Sequence, residues 1–153
     1  MYKNSKTPKE GLFYSKLAIL EFCGWIEESM DDIINRCALK HLKKASNIRN
    51  VNELISRISG FEYNNHFRIM LIKLLGIIHI EKLEKRVDQV KFQQLKSTLG
   101  SLKGPRNIQA HTHLKGAMIT LDAPSVTKRK FLIVYNGLKE FEGEIKRLKF
   151  KNI

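Results

Sequence analysis

Apolar residues at alternating steps of three and four run through most of this chain, and that step restricts it to helices. Between Leu12 and His41 the series is Phe13, Leu17, Leu20, Cys23, Ile26, Met30, Ile33 and Cys37. With about 3.6 residues per turn, such a series lines one stripe of an amphipathic helix. Glu27, Glu28, Asp31 and Asp32 gather in its middle, whereas Arg36, Lys40, Lys43 and Lys44 gather towards its end. Late cations complement the negative end of the helix dipole.

The same step continues downstream. A stretch bearing Ser and Asn around 45–50 predicts a loop, followed by a short helix over Val51–Ser59 with Gly60 as its stop. Phe67, Met70, Leu71, Leu74, Leu75 and Ile78 predict a third helix over 64–78, with a kink or break between Gly76 and Glu81. Leu83, Val87, Val90, Phe92, Leu95, Leu99 and Leu102 carry the pattern to about Lys103. Gly104-Pro105 then predicts the end of one helix and the start of another, since proline suits the first helical position. Gly116 is the expected end of that helix. Asp122-Ala123-Pro124-Ser125 marks the start of the last one, whose apolar positions run from Phe131 to Leu148. The expectation is an all-α bundle of about five helices, with long antiparallel helices among them. It forms one domain over 12–153 behind a flexible lead-in at 1–11.

Charge narrows the partners. The 28 Lys and Arg oppose 15 Asp and Glu, a formal charge of +13 that suits a polyanion such as RNA. The longest apolar run, Ile69 to Ile80, is interrupted by Lys73 and is too short to span a bilayer. Residues 1–11 hold no apolar signal core. No membrane role and a cytoplasmic location are the corresponding expectations. Cys23 and Cys37 lie about 21 Å apart along one predicted helix, so they cannot bridge within it. They read as core thiols of a reducing compartment.

The chemistry concentrates in Gly104-Pro105-Arg106-Asn107-Ile108-Gln109-Ala110-His111-Thr112-His113. A guanidinium clamps phosphate with two parallel hydrogen bonds, and an imidazole moves protons near neutrality. RNA supplies its own nucleophile, the 2′-hydroxyl. His111 is placed to take that proton and Arg106 to hold the charge that develops on phosphorus, leaving a 2′,3′-cyclic phosphate and a 5′-hydroxyl. Asn107 adds a neutral donor and acceptor. A helix starting at Pro105 would also point free N–H groups at a phosphate. His113 is the alternative base. Its imidazole points about 200° from that of His111 on a helix, a poor arrangement for zinc. No metal site and no cofactor are expected. Lys103 and Lys115 flank the motif, and they join Lys128, Arg129 and Lys130 as candidates for the RNA backbone.

Arg36-Cys37-Ala38-Leu39-Lys40-His41 repeats the same spacing at the end of a long helix, where the structural reading is that it settles terminal carbonyls. His66 and His79 stand alone in the sequence and read as structural. Trp25 reads as core. The acidic group Glu27, Glu28, Asp31 and Asp32 reads as a solvated face, with orientation of Arg106 or of an imidazole as its functional alternative.

Arg106-Asn107-Ile108-Gln109-Ala110-His111, late in a small all-helical chain, resembles the Arg-X(4–6)-His motif of HEPN domains. The chain from about Tyr14 to Leu148 resembles the RiboL-PSP-HEPN branch of that superfamily. The resemblance implies a HEPN-like helical bundle and a metal-independent ribonuclease of a toxin–antitoxin or phage-defence system, with an antitoxin or sensor as a further partner. It equally accommodates an inactive RNA- or protein-binding module, or the helical partner of a nucleotidyltransferase. Five helical positions rotate about 140° and rise about 7.5 Å, so Arg106 and His111 do not stack on one face. A homodimer with a composite active site would bring two copies of the motif to one groove.

Overall fold

The computed structural model describes residues 2–111 and 121–150, with His111 described by its backbone alone. The described residues form an all-α bundle with no strand. Six α-helices are present: α1 (Pro8–His41), α2 (Ala45–Arg57), α3 (Arg68–Leu75), α4 (Ile77–Arg86), α5 (Gln89–His111) and α6 (Pro124–Arg147). None of them is long and apolar enough to cross a membrane.

Capping explains where α1 begins. Thr7 Oγ1 accepts the Glu10 backbone N–H at 3.2 Å, and Glu10 Oε2 accepts the Lys6 N–H at 2.7 Å. Two otherwise orphaned donors are satisfied reciprocally, and Pro8 supplies a helical φ. Residues 8–11 therefore belong to the helix and not to a lead-in, and Gly11 is buried. The loop expected at 45–50 is also helical. Its polar residues Ser46, Asn47 and Asn50 occupy exposed positions of α2, while Val51 is buried and Leu54 and Ile55 pack on the core. Loop-like composition there reflects solvent contact and not a break.

A π-helical turn over Tyr63–Phe67 leads into α3. Gly76, at φ +81°, separates α3 from α4, in the interval where the break is expected. Only glycine takes that backbone conformation without strain. Asp88 Oδ1 accepts the Lys91 N–H at 2.9 Å at the start of α5.

The Gly104-Pro105 boundary does not exist. α5 runs through Pro105 to His111 as one helix. A proline inside a helix costs about 3 kcal/mol. Leu95, Leu99 and Leu102 hold the helix to the core before the proline, and beyond it Gln109 is buried with its amide meeting no hydrogen-bond partner among the described residues. Each fully buried Leu contributes roughly 1.5–3 kcal/mol. The predicted end at Gly116 lies outside the described residues.

α1, α5 and α6 pack mutually and form the body of the bundle. Lys91 reaches Glu140 at 3.0 Å, and a Cβ on Gly137 would lie 2.8 Å from Leu95 Cβ, so α5 runs antiparallel to α6. Phe22 meets Phe131 at 6.0 Å between ring centres and Arg36 meets Glu142 at 3.0 Å, so α1 runs parallel to α6. The Tyr63, Phe67, Phe92 and Phe141 rings interlock between the π turn, α5 and α6, with Phe92 and Phe141 5.2 Å apart. Trp25 packs on Phe131 at 4.6 Å, in keeping with its reading as core.

Candidate functional site

Lys103, Arg106 and Asn107 lie three and four positions apart on α5 and so share one face of that helix. Opposite them are Glu27 of α1, the connection Ser59–Glu62 and His66 of the π turn. Together these residues line an open cleft of ≈ 250 Å³. Three sequence-distant segments thus converge on the guanidinium that the motif singles out.

Arg106 is half-buried, with 38% of its side chain exposed. Its Nη2 stands 3.7 Å from Glu27 Oε1, and its Nη1 donates to Asn107 Oδ1 at 3.3 Å. Both contacts are long for charge-assisted hydrogen bonds, which fall near 2.7–2.9 Å. The guanidinium is oriented by Glu27, the functional alternative for that acidic group, yet it is not saturated by it. Its charge reaches the buried Cys23 behind it. Burial pushes that thiol up to about 11, while Arg106 pulls it down and Glu27 adds to the rise. Cys23 and Cys37 are both free and buried.

On the other wall, Lys103 Nζ pairs with Glu62 Oε2 at 3.1 Å. Hydrogen bonds from Asn65 and Lys103 hold the Glu62 carboxyl below its ordinary range. His66 is not isolated in space. Its Nδ1 accepts the Glu62 backbone N–H at 3.1 Å, and its own backbone N–H donates to the Glu62 carbonyl at 3.2 Å. Beside it, Gly60 has φ +136°, and a Cβ there would fall 2.4 Å from His66 Nε2. Backbone conformation and space both demand glycine at this position.

His111 is the last residue of α5, five positions beyond Arg106, which puts its backbone about 7.5 Å further along the helix. His113 and Lys115 lie outside the described residues. Arg106 sits in the interior of α5, so the free first-turn N–H groups expected to greet a phosphate are not available at this position. Lys128 and Arg129 are exposed near the start of α6, and the antiparallel register brings that start to the Arg106 end of α5. Lys130 is engaged differently, pairing with Asp122 at 2.8 Å beside the helix start. Among the described residues no group of three or more His, Cys, Asp or Glu could hold a metal ion.

Gly60, Glu62 and His66 were not readable as site residues. The available signal was the four-residue step from Glu62 to His66 directly after a Ser-Gly break. That step becomes informative only once the fold brings it beside α5. Comparison with protein-family models, curated proteins and solved structures gives no match.

Proposed function

We propose that this protein is a metal-independent endoribonuclease of the HEPN type, acting as a toxin or phage-defence effector. The observation that carries the reading is the placement of Arg106. Its guanidinium is loosely held at the wall of an open cleft, beside Lys103 and Asn107. His111 follows on the same helix, and the chain carries a charge of +13.

The chemistry needs few groups because RNA brings its own nucleophile. His111 removes the 2′-hydroxyl proton as that oxygen attacks phosphorus. Arg106 holds the charge on the equatorial oxygens, where a guanidinium is worth more than in bulk water. The bond from phosphorus to the 5′-oxygen breaks and that oxygen takes a proton from the protonated His111 imidazole of a second copy, so the ends are a 2′,3′-cyclic phosphate and a 5′-hydroxyl. The rotation between positions 106 and 111 on one helix favours a homodimer that shares one groove. Activity that sediments with a monomer would refute that arrangement.

The decisive assay is incubation with total RNA in excess EDTA. Cleavage by the wild-type chain, reduced at least about 10²-fold in both Arg106→Ala and His111→Ala, is the expected result. Binding without cleavage would replace the nuclease with an RNA-binding module. Cleavage unaffected by either substitution would remove the motif from the reaction.

A further inference from the structure

The geometry assigns His66 a direct contact with substrate: its Nε2–H donates a hydrogen bond to a ribonucleotide phosphate bound between the connection Ser59–Glu62 and α5. The ribonucleotide identity rests on the ribonuclease reading, whereas the phosphate contact rests on the cleft alone.

Glu62 donates its backbone N–H to His66 Nδ1 at 3.1 Å, so in the neutral imidazole the proton resides on Nε2. The His66 backbone N–H donates to the Glu62 carbonyl at 3.2 Å, so the residue that carries the ring is fixed by the backbone of the turn. Within the described residues Nε2 meets no hydrogen-bond acceptor, and it is not one of the sealed polar atoms of the interior. It therefore offers a donor to the cleft that His66 lines. Gly60 packs its backbone against this edge of the ring, and a Cβ there would begin 2.4 Å from Nε2, so only glycine allows the imidazole to sit at the wall of the cleft.

The surroundings point to an anion carrying a neutral body. Lys103 and Arg106 supply two cations and Asn107 a neutral amide, all on the opposing face of α5. Glu27 and Glu62 also line the cleft. Each is already matched to a cation, Glu27 with Arg106 at 3.7 Å and Glu62 with Lys103 at 3.1 Å. A phosphate can take over the looser of these pairings, that of Arg106, while Glu62 stays bound by Lys103 and Asn65 at 3.2 Å. A space of ≈ 250 Å³ has room for one phosphate and its sugar. His66 acts here as a hydrogen-bond donor, with no proton changing hands. Its contribution is to binding and to positioning of the phosphate against Arg106.

The test is titration of the full chain with uridine 3′-monophosphate, with the 2′-deoxy analogue and with inorganic phosphate, followed by the imidazole signals of His66 and by calorimetry. Saturable binding of the nucleotide is expected, weakened about tenfold by His66→Ala and restored to within about threefold by His66→Gln, whose amide keeps a donor. Thermal melting of each variant separates lost contact from lost fold. RNA cleavage by His66→Ala should show a raised KM with the pH profile unchanged, which a general acid or base would shift. Wild-type affinity in a folded His66→Ala protein overturns the assignment, as does failure of all three probes to bind the wild type. Binding of the probes with no RNA cleavage keeps the His66 contact and ends the nuclease reading. Equal affinity for inorganic phosphate and nucleotide keeps the contact and removes the ribonucleotide as its natural partner.

Discussion

Arg36–His41 and Arg106–His111 have identical spacing and opposite surroundings. Arg36 is clamped on three sides. Its Nη2 meets Asp32 at 2.9 Å, its Nη1 meets Glu142 at 3.0 Å, and its Nε donates to the Asp32 carbonyl. Lys146 approaches the same Glu142 oxygen at 2.8 Å, off the direction of a hydrogen bond, so that carboxylate joins two cations electrostatically. His41 lays its ring edge-on against Phe150 at 4.6 Å. Arg106 instead has one carboxylate at 3.7 Å and one neutral amide, and it looks into an open cleft. A guanidinium paired with two carboxylates ties α1 to α6, although its side chain is 53% exposed against 38% for Arg106. A guanidinium held at arm's length remains able to take a phosphate. Spacing in the sequence is the same in both places, and the neighbours decide which role is possible.

The sharpest way to break this contrast is to exchange the substitutions. Arg106→Ala should lower RNA cleavage at least about 10²-fold, while Arg36→Ala should stay within about threefold. Equal losses in initial rate would erase the distinction. Stability should respond in the reverse order. Arg36→Ala leaves the half-buried Glu142 with Lys146 alone and should cost about 1 kcal/mol, against about 0.5 kcal/mol or less for Arg106→Ala, measured by urea unfolding.

A smaller effect separates two adjacent acids of α1. Asp32 is bound by Arg36, whereas Asp31 is pushed up to about 6 by burial and then by the like charges of Glu27 and Glu28. A folded value above the unfolded one means that protonation favours the fold. The corresponding stability is complete below the ordinary aspartate range and is lost as pH rises through about 6. Asp31→Asn should therefore stabilise the protein at pH 7 by a few tenths to about 1 kcal/mol once solvent screening is allowed for, and should bring no gain below about pH 4. An equal gain at both pH values, read from unfolding curves, would show that charge is not the cause.

Much of the fold was legible because it rests on periodicity. The stripe from Cys23 to Cys37, the break at Gly76 and the Pro124 helix start are local signals, and the chain follows them, whereas Phe13 and Leu17 are exposed and Ser15 and Ile19 take the inward face at the start of α1. Misreadings came where composition pointed the wrong way. Pro105 lies inside α5, which Leu95, Leu99 and Leu102 hold to the core on its N-terminal side, and nothing in the structure explains why the helix continues past it. The 45–50 segment is helical because Val51 and its neighbours anchor it. The start of α1 was written in Thr7-Pro8-Lys9-Glu10, a capping pattern that the apolar stripe alone does not include. At the cleft, Arg106 and Asn107 could be named from the motif and Lys103 from its place beside it, although the expected break at Gly104-Pro105 put Lys103 on a different helix. Gly60, Glu62 and His66 could not, since their relation to α5 exists only in the tertiary fold.

Gly137 has a consequence at a distance. Where it meets Leu95 the two helices nearly touch, and nothing larger than hydrogen fits between them. Arg106 rides on the same rod eleven residues beyond Leu95, about 16 Å away. A methyl wedge at 137 would make the contact a fulcrum, so that a few tenths of an ångström there become a larger swing at the far tip of α5. Paired labels across the cleft would register that lever arm as a change in separation. A close joint between α5 and α6 thereby bears on the width of the cleft beside Arg106.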